Sequence, residues 1–202
     1  MKYRILLALL LLFSLAGCGK SPQLPRLVPD ATLLAFGDSL TFGTGAAPSE
    51  SYPAVLAGLI QRQVINAGVP GETTADGRER LPGTLDQVQP ALLILCIGGN
   101  DFLRKRPEAE TIANLRAMLD EARARQLPVL LVATPRPGLG LSVPPFYADL
   151  AKQYALTLEA ESLAEILSTR SLKSDWIHPN AAGYRQLAGA IADRLNKAGA
   201  LP

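Results

Sequence analysis

The chain has 202 residues, a length that suits one domain with a sizeable core. With 48% hydrophobic and 19% charged residues its composition is ordinary for a globular protein, and its glycines and prolines are too scattered for a collagen-like or low-complexity chain. The net charge of +2 gives no sign of the basic face that a nucleic-acid partner requires.

The first 17 residues have the pattern of an export signal. Lys2 and Arg4 precede the apolar run ILLALLLLFSL, which is short for a bilayer-spanning helix. The run closes on LAGC, residues 15–18, which resembles a bacterial lipobox, so Cys18 is expected to carry lipid and to become the mature N-terminus. An ordinary signal peptide and a short anchor are the alternatives. We therefore expect a tether over 18–30 and a folded domain over 31–202.

The expected cleavage changes both the charge balance and the cysteine count. It removes two of the 20 basic residues and no acidic one, which leaves 18 basic against 18 acidic residues and a formal charge of zero. Cys96 then remains unmodified, and its place in ALLILCIGG predicts a buried, unpaired side chain. Gly19 directly follows Cys18, at the position where an aspartate in bacterial lipoproteins is associated with retention in the inner membrane. Because Gly19 is not an aspartate, the resemblance to lipoproteins favours an anchor in the outer membrane. A monomer is expected.

After the tether, strand patterns and helix patterns alternate along the chain. Strands are predicted for TLLAFG, QVINAG, PALLILCIGG, PVLLVATP and LTLEAE, most of them continuous apolar runs. Helices are predicted for SYPAVLAGLIQ, EAETIANLRAMLDEARARQ, PPFYADLAKQYA and NAAGYRQLAGAIADRLNKAG. The second of these helices has an apolar stripe made of Ile112, Leu115, Met118 and Leu119. The alternation predicts a parallel sheet covered by helices on both faces.

Small polar residues follow the first three predicted strands. The segments are GDSLTFG, NAGVPGETT and GGND, and each combines glycine with a polar side chain. In a parallel sheet the functional crevice lies beyond the carboxyl ends of the strands, and glycine lets a ligand approach backbone amides. Ser39, Gly71 and Asn100 are therefore expected to face one another across a crevice.

The one histidine, His178 in DWIHPN, is the only imidazole base that the chain offers to a nucleophilic serine. Asp175 precedes it by three residues, from where a carboxylate in a turn reaches the far ring nitrogen. A lone histidine is more often a surface or structural residue. Its combination with Asp175 and Ser39 favours a catalytic role.

Four stretches together resemble the sequence blocks of the SGNH/GDSL hydrolases. They are GDSL at 37–40, the glycine of VPGETT, GGND at 98–101 and DWIHP at 175–179, in the order found in that family. Within the family the chain is similar to small bacterial thioesterase, lysophospholipase and arylesterase enzymes. The resemblance implies an α/β fold, a three-layer αβα sandwich with a mostly parallel, flavodoxin-like five-stranded sheet.

The resemblance also implies residue roles. Ser39 corresponds to the nucleophile, His178 to its base and Asp175 to the group that orients the base. The backbone amides of Ser39 and Gly71 and the side-chain amide of Asn100 correspond to the oxyanion hole. The implied activity is hydrolysis of acyl esters, thioesters or lysophospholipids through an acyl-enzyme, without a metal or other cofactor. Asp38 is expected to brace the turn rather than to serve as the triad acid.

Other functions receive less support from the sequence. The dinucleotide fingerprint and the Walker lysine are absent, one histidine does not suggest a metal site, and Cys96 lies in a dry strand. A cell-envelope carbohydrate O-acetylesterase and a lipid-anchored binding module without catalysis remain alternatives. The sequence defines the substrate less well. The basic residues 104–106 are compatible with binding an anionic head group or with a solvated loop. Phe102, Leu103 and the segment PRPGLGLSVPPFY are compatible with the lining of an acyl groove.

Overall fold

The computed structural model describes residues 23–137 and 140–201. The predicted signal peptide and Cys18 lie outside these residues. Among the helices described, none combines the length and the apolar character needed to cross a bilayer.

A five-stranded parallel sheet forms the centre of the molecule. The strands of the described chain are β1 (Thr32–Gly37), β2 (Gln63–Gly68), β3 (Leu92–Cys96), β4 (Val129–Val132), β5 (Arg136–Pro137), β6 (Leu141–Ser142) and β7 (Thr157–Glu159). The sheet has the order β2-β1-β3-β4-β7, and β5 and β6 form a separate short hairpin. This is the flavodoxin-like order, so the predicted fold class is confirmed.

Helices cover both faces of the sheet. Those described are α1 (Ser39–Phe42), α2 (Tyr52–Ile60), α3 (Thr74–Val88), α4 (Gly99–Leu103), α5 (Glu108–Ala124), α6 (Phe146–Tyr154), α7 (Ser162–Ser168) and α8 (Ala181–Lys197). Successive residues of a strand point to opposite faces. Leu33 and Ala35 of β1 therefore join a core with α2, α7 and α8, and Leu34 and Phe36 join a second core with α3, α5 and α6.

The strand register places three functional segments side by side. Gly37 of β1 pairs with Gly68 of β2 and with Cys96 of β3, so these three strands end at the same level. The chain that follows each strand must therefore emerge at one edge of the sheet, as the sequence predicts.

Helix α3 was not expected from the sequence pattern. It contains Pro82 in its interior, and proline normally disfavours a helix because it lacks an N–H and crowds the preceding turn. The helix begins at a capping box in which the Asp76 N–H donates to Thr73 Oγ1 and the Thr73 N–H donates to Asp76 Oδ2 at 3.0 Å. This cap is the sequence signal that marks the helix. The short helix α7 was not predicted either.

The start of the described chain packs against its end. The Leu24 N–H donates to Ala198 O at 2.8 Å, the Leu27 N–H donates to Ala200 O at 2.9 Å, and Leu27 is buried in the core. The segment predicted as a tether is therefore held against the domain from Leu24 onward. These contacts lie beyond the C-terminal end of α8 and toward the start of β1 at Thr32, remote from the carboxyl ends of the strands.

Candidate active site

Ser39 lies where β1 ends and α1 begins. At Gly37 a Cβ atom would lie 1.9 Å from the Cys96 carbonyl oxygen, so only glycine allows this close approach of the two strands. Asp38 is 1% exposed and caps α1 by accepting a hydrogen bond from the Leu40 N–H at 3.0 Å. The predicted bracing role of Asp38 is confirmed by this contact. Ser39 is the first residue of the helix, so its N–H has no partner within the helix.

His178 joins Ser39 and Asp175 in one hydrogen-bonded line. His178 Nε2 lies 3.0 Å from Ser39 Oγ, and His178 Nδ1 lies 2.8 Å from Asp175 Oδ2. The other oxygen, Asp175 Oδ1, accepts hydrogen bonds from the N–H groups of Ile177 at 2.8 Å and of His178 at 2.9 Å. The imidazole therefore has one ring nitrogen toward the serine hydroxyl and the other toward a carboxylate. This geometry permits proton transfer from the serine to the imidazole.

The loop that carries Asp175 and His178 is held at both ends. The Ser174 N–H donates to the carbonyl oxygen of His178 at 3.0 Å, which closes the turn. Asn180 Oδ1 accepts a hydrogen bond from the Gly183 N–H at 3.1 Å and so caps α8. The helix start and the closed turn together place the imidazole over Ser39.

Two carboxyl groups near Ser39 have opposite electrostatic environments. Burial raises the pKa of Asp38 from 3.8 to about 7, an effect to which the charges of Glu72 and Asp101 add and which the hydrogen bond from Leu40 opposes. Partial burial acts to raise the pKa of Asp175 as well, but hydrogen bonds from the His178 ring and from two backbone N–H groups outweigh it and hold that pKa below its ordinary value. Asp175 is therefore the carboxyl that stays ionised beside the imidazole.

The segments after β2 and β3 meet beside the Ser39–His178 pair. Asn100 Nδ2 donates to the carbonyl oxygen of Glu72 at 2.9 Å, and Arg104 Nη2 donates to the carbonyl oxygen of Gly71 at 2.7 Å. Gly71 has a φ of 83°, a conformation that favours glycine. The segment after β3 is thus hydrogen-bonded to the turn after β2, through Asn100 to Glu72 and through Arg104 to Gly71.

A small cavity opens between these groups, with a volume of about 30 Å³. Ser39, Asn100 and His178 line it, whereas Gly71 does not. Its apolar wall includes Leu103, Pro137, Leu141, Leu167, Trp176 and Ile177. The walls thus include Leu103 and parts of the Pro- and Gly-rich loop that the sequence suggested for an acyl groove.

Some residues of the site were not expected from the sequence. Trp176 lies at the cavity mouth and is 88% exposed, and Leu167 comes from the unpredicted helix α7. The one sequence signal for Trp176 at the cavity mouth is its position between Asp175 and His178. Of the basic run 104–106, Arg104 contacts the Gly71 carbonyl, and Lys105 and Arg106 are exposed. Cys96 is fully buried and burial raises the pKa of its thiol, as expected of a core residue.

Known proteins resemble the chain in sequence and in fold. The GDSL-like Lipase/Acylhydrolase family matches residues 35–186. Thioesterase 1/protease 1/lysophospholipase L1 of Escherichia coli (strain K12) is 32% identical over 172 residues, 81% of this chain and 83% of the relative. The arylesterase of Vibrio mimicus is 27% identical over 204 residues, 95% of this chain and 98% of the relative. The crystal structure of TesA shares 30% identity and a TM-score of 0.73, covering 83% of this chain and 99% of that one.

Proposed function

Because the chain belongs to the GDSL-like lipase/acylhydrolase family and is a carboxylic ester hydrolase, we propose that Ser39, His178 and Asp175 form its catalytic triad. The observation that carries the proposal is the unbroken line of contacts, 3.0 Å from Ser39 Oγ to His178 Nε2 and 2.8 Å from His178 Nδ1 to Asp175 Oδ2. A nucleophile, a base and an orienting carboxylate in sequence are what acyl transfer requires.

In the proposed reaction, Ser39 Oγ attacks the ester carbonyl carbon while its proton passes to His178 Nε2. Asp175 accepts the Nδ1–H hydrogen bond and stabilises the imidazolium. The imidazolium then protonates the leaving alcohol or thiol as the acyl–Ser39 ester forms. Water attacks this ester with His178 again as the base, which releases the carboxylic acid and restores the serine.

The oxyanion of the tetrahedral intermediate is proposed to bind the Ser39 N–H, the Gly71 N–H and Asn100 Nδ2. One hydrogen of the Asn100 amide is used by Glu72 O, which leaves the second for the substrate. Ser39 lies at a helix start, where its N–H is free of helical bonding. Donors that are set in place before the reaction stabilise developing charge most effectively.

The size of the cavity favours substrates with short acyl groups. The cavity between Ser39 and the apolar wall is small, about 30 Å³, and a longer acyl chain is proposed to extend along the exposed mouth beside Trp176. Esters and thioesters share the reaction described above. The same small volume suits an acetyl ester of a cell-envelope carbohydrate, which is the second candidate substrate.

Attachment to the cell envelope through lipid on Cys18 is the proposed location, with the outer membrane favoured. It rests on the lipobox-like LAGC and the glycine that follows. Helix α8 starts next to His178 and runs for 17 residues, about 25 Å, before Ala198 binds Leu24. A chain anchored ahead of Leu24 would hold its site away from the anchoring membrane and toward the aqueous side.

Hydrolysis of p-nitrophenyl esters by the purified protein tests the proposed function. Acyl chains of two to ten carbons, each as ester and thioester, give the substrate preference, and we expect the highest kcat/KM for the shortest chains. Ser39→Ala is expected to abolish turnover while circular dichroism stays unchanged, because it removes only the nucleophile. Turnover within tenfold of wild type in that variant would refute the assignment, and a wild type without turnover would favour the binding-module alternative.

A further inference from the structure

Glu72 is a buried carboxylate beside the proposed oxyanion hole. Its side chain is 4% exposed and accepts two hydrogen bonds from Arg80, from Nε at 2.5 Å and from Nη2 at 2.6 Å. This two-pronged contact fixes the relative orientation of the two groups as well as their distance. Neither side chain lines the cavity, and both oxygens of the Glu72 carboxylate are already bound by Arg80.

The guanidinium of Arg80 is fixed in turn to the carboxyl ends of two strands. It lies over the Phe36 ring, 3.9 Å from the centroid, and its Nη2 donates to Ala67 O at 3.0 Å. Phe36 precedes Ser39 by three residues and Ala67 precedes Gly71 by four. A planar guanidinium can stack on a ring and use its N–H fork at the same time, which a lysine ammonium cannot do.

The main chain of Glu72 holds the proposed oxyanion donors. Its carbonyl oxygen accepts the 2.9 Å hydrogen bond from Asn100 Nδ2, which sets the plane of that amide and hence the direction of its second N–H. Gly71 directly precedes Glu72 in the same turn, which is closed by a hydrogen bond from the Glu72 N–H to Val69 O at 3.2 Å. A shift of this turn would move two donors together.

We propose that the Glu72–Arg80 pair is a positioning device for the oxyanion hole. The inference rests on the proposed function, because it takes Gly71 and Asn100 as the donors. The side chain of Glu72 ties the turn to Arg80, and Arg80 ties it to the strand that leads to Ser39. Loosening the pair lets the donors move relative to the nucleophile. Since those donors act mainly on the transition state, the loss is expected in kcat and not in KM.

A second buried pair provides a matched control. Glu159 and Arg194 are joined at 2.8 Å, with side chains 5% and 39% exposed, compared with 4% and 28% for Glu72 and Arg80. The Glu159 carboxylate also accepts hydrogen bonds from Ser162, at the start of α7. The Glu159 carboxylate has no hydrogen bond to a proposed catalytic residue, and Arg194 lies in the last turn of α8, 16 residues after His178. Weakening this pair therefore controls for the loss of a partly buried ion pair.

The experiment compares Arg80→Lys with Arg194→Lys in the full-length protein, using p-nitrophenyl acetate turnover and thermal unfolding followed by circular dichroism. Arg80→Lys is expected to lower kcat about tenfold or more with KM within about threefold, because loss of a whole donor costs about 100-fold or more. Arg194→Lys is expected to leave kcat within about twofold even where it lowers the melting temperature as much. Glu72→Gln, which keeps the shape of the side chain, is expected to lower kcat in the same way.

A double-mutant cycle with Asn100 separates positioning from general structure. Asn100→Ala alone is expected to lower kcat about 100-fold or more. In the Arg80→Lys background the same change is expected to lower kcat far less, because a donor that is already displaced stabilises the transition state less. The inference is overturned if Arg80→Lys and Glu72→Gln both keep kcat within twofold of wild type. It is also overturned if the fold-losses in kcat of Arg80→Lys and Asn100→Ala multiply in the double variant. If Arg80→Lys does not fold, Glu72→Gln takes its place in the cycle. A wild type without turnover, or an active Ser39→Ala, would instead refute the proposed function.

Discussion

Replacing Asp38 with asparagine is expected to change how the stability of the protein depends on pH. Asp38 is 1% exposed, and burial raises its pKa from 3.8 to about 7. Between these two pH values the unfolded chain releases the proton while the folded chain keeps it. The free energy of unfolding therefore falls as pH rises through this window, and the contribution of Asp38 levels off above its folded pKa.

The size of the effect follows from the pKa difference. A shift from 3.8 to about 7 corresponds to about 4 kcal/mol in all, of which about 2.5 kcal/mol is lost between pH 5 and pH 8.5. Asparagine does not ionise, so Asp38→Asn lacks this fall. The difference in unfolding free energy between wild type and variant is expected to move by about 2.5 kcal/mol in favour of the variant over that range.

Urea unfolding at several pH values, followed by circular dichroism, measures the effect. The one tryptophan, Trp176, is 88% exposed in the folded protein, so its fluorescence is a poor probe of unfolding. Asp149→Asn, a change at an exposed aspartate, controls for replacing a carboxyl by an amide. If wild type and Asp38→Asn lose stability in parallel between pH 5 and pH 8.5, Asp38 does not have a raised pKa and the reasoning from its burial is wrong.

Three further predictions concern the proposed triad and the proposed anchor. Asp175→Asn is expected to lower kcat/KM on the order of 10⁴-fold, because the His178 imidazole loses the carboxylate that sets its tautomer. A loss near tenfold would mean that a different group orients the imidazole. Wild-type kcat/KM is expected to fall on acidification, since only neutral imidazole accepts the Ser39 proton and the lowered pKa of Asp175 keeps that carboxylate ionised meanwhile; a flat profile from pH 5 to 9 would exclude a histidine base. Because burial raises the pKa of Asp38 to about 7, the same profile of Asp38→Asn separates any contribution of that carboxyl. Cys18→Ala is expected to stop incorporation of labelled palmitate, and continued labelling would place the lipid elsewhere.

The sequence by itself determined the strand pattern and most residues of the site. The run TLLAFG is apolar at every position but its ends, and it became β1 with the bounds Thr32–Gly37. Parallel strands present their carboxyl ends at one edge, so the polar residues after β1, β2 and β3 were expected to meet there. Ser39 and Asn100 do line one cavity with His178. The strand pattern and the meeting of the strand ends follow from local hydrophobicity, which can be read along the chain, whereas the role of His178 was expected from the resemblance of its motif.

Helix α3 shows where local pattern was not enough. Its interior proline and few apolar residues argue against a helix, yet packing between the sheet and α5 stabilises it. Arg80 lies on this helix and meets Glu72 only because the helix runs back along the strands. No spacing rule links those two residues to Asn100, which is 28 positions from Glu72.

Only the tertiary structure decided which groups share a site and what charge state they favour. The 3.0 Å contact between His178 and Ser39 joins residues 139 positions apart, and it depends on how α8 packs on the sheet. The sequence shows that Asp38 and Asp175 are both aspartates near the motif residues, but not that one pKa is raised and the other lowered. Those shifts arise from burial and from hydrogen bonds with groups brought together by folding, and such distances are properties of the packed chain rather than of any single segment.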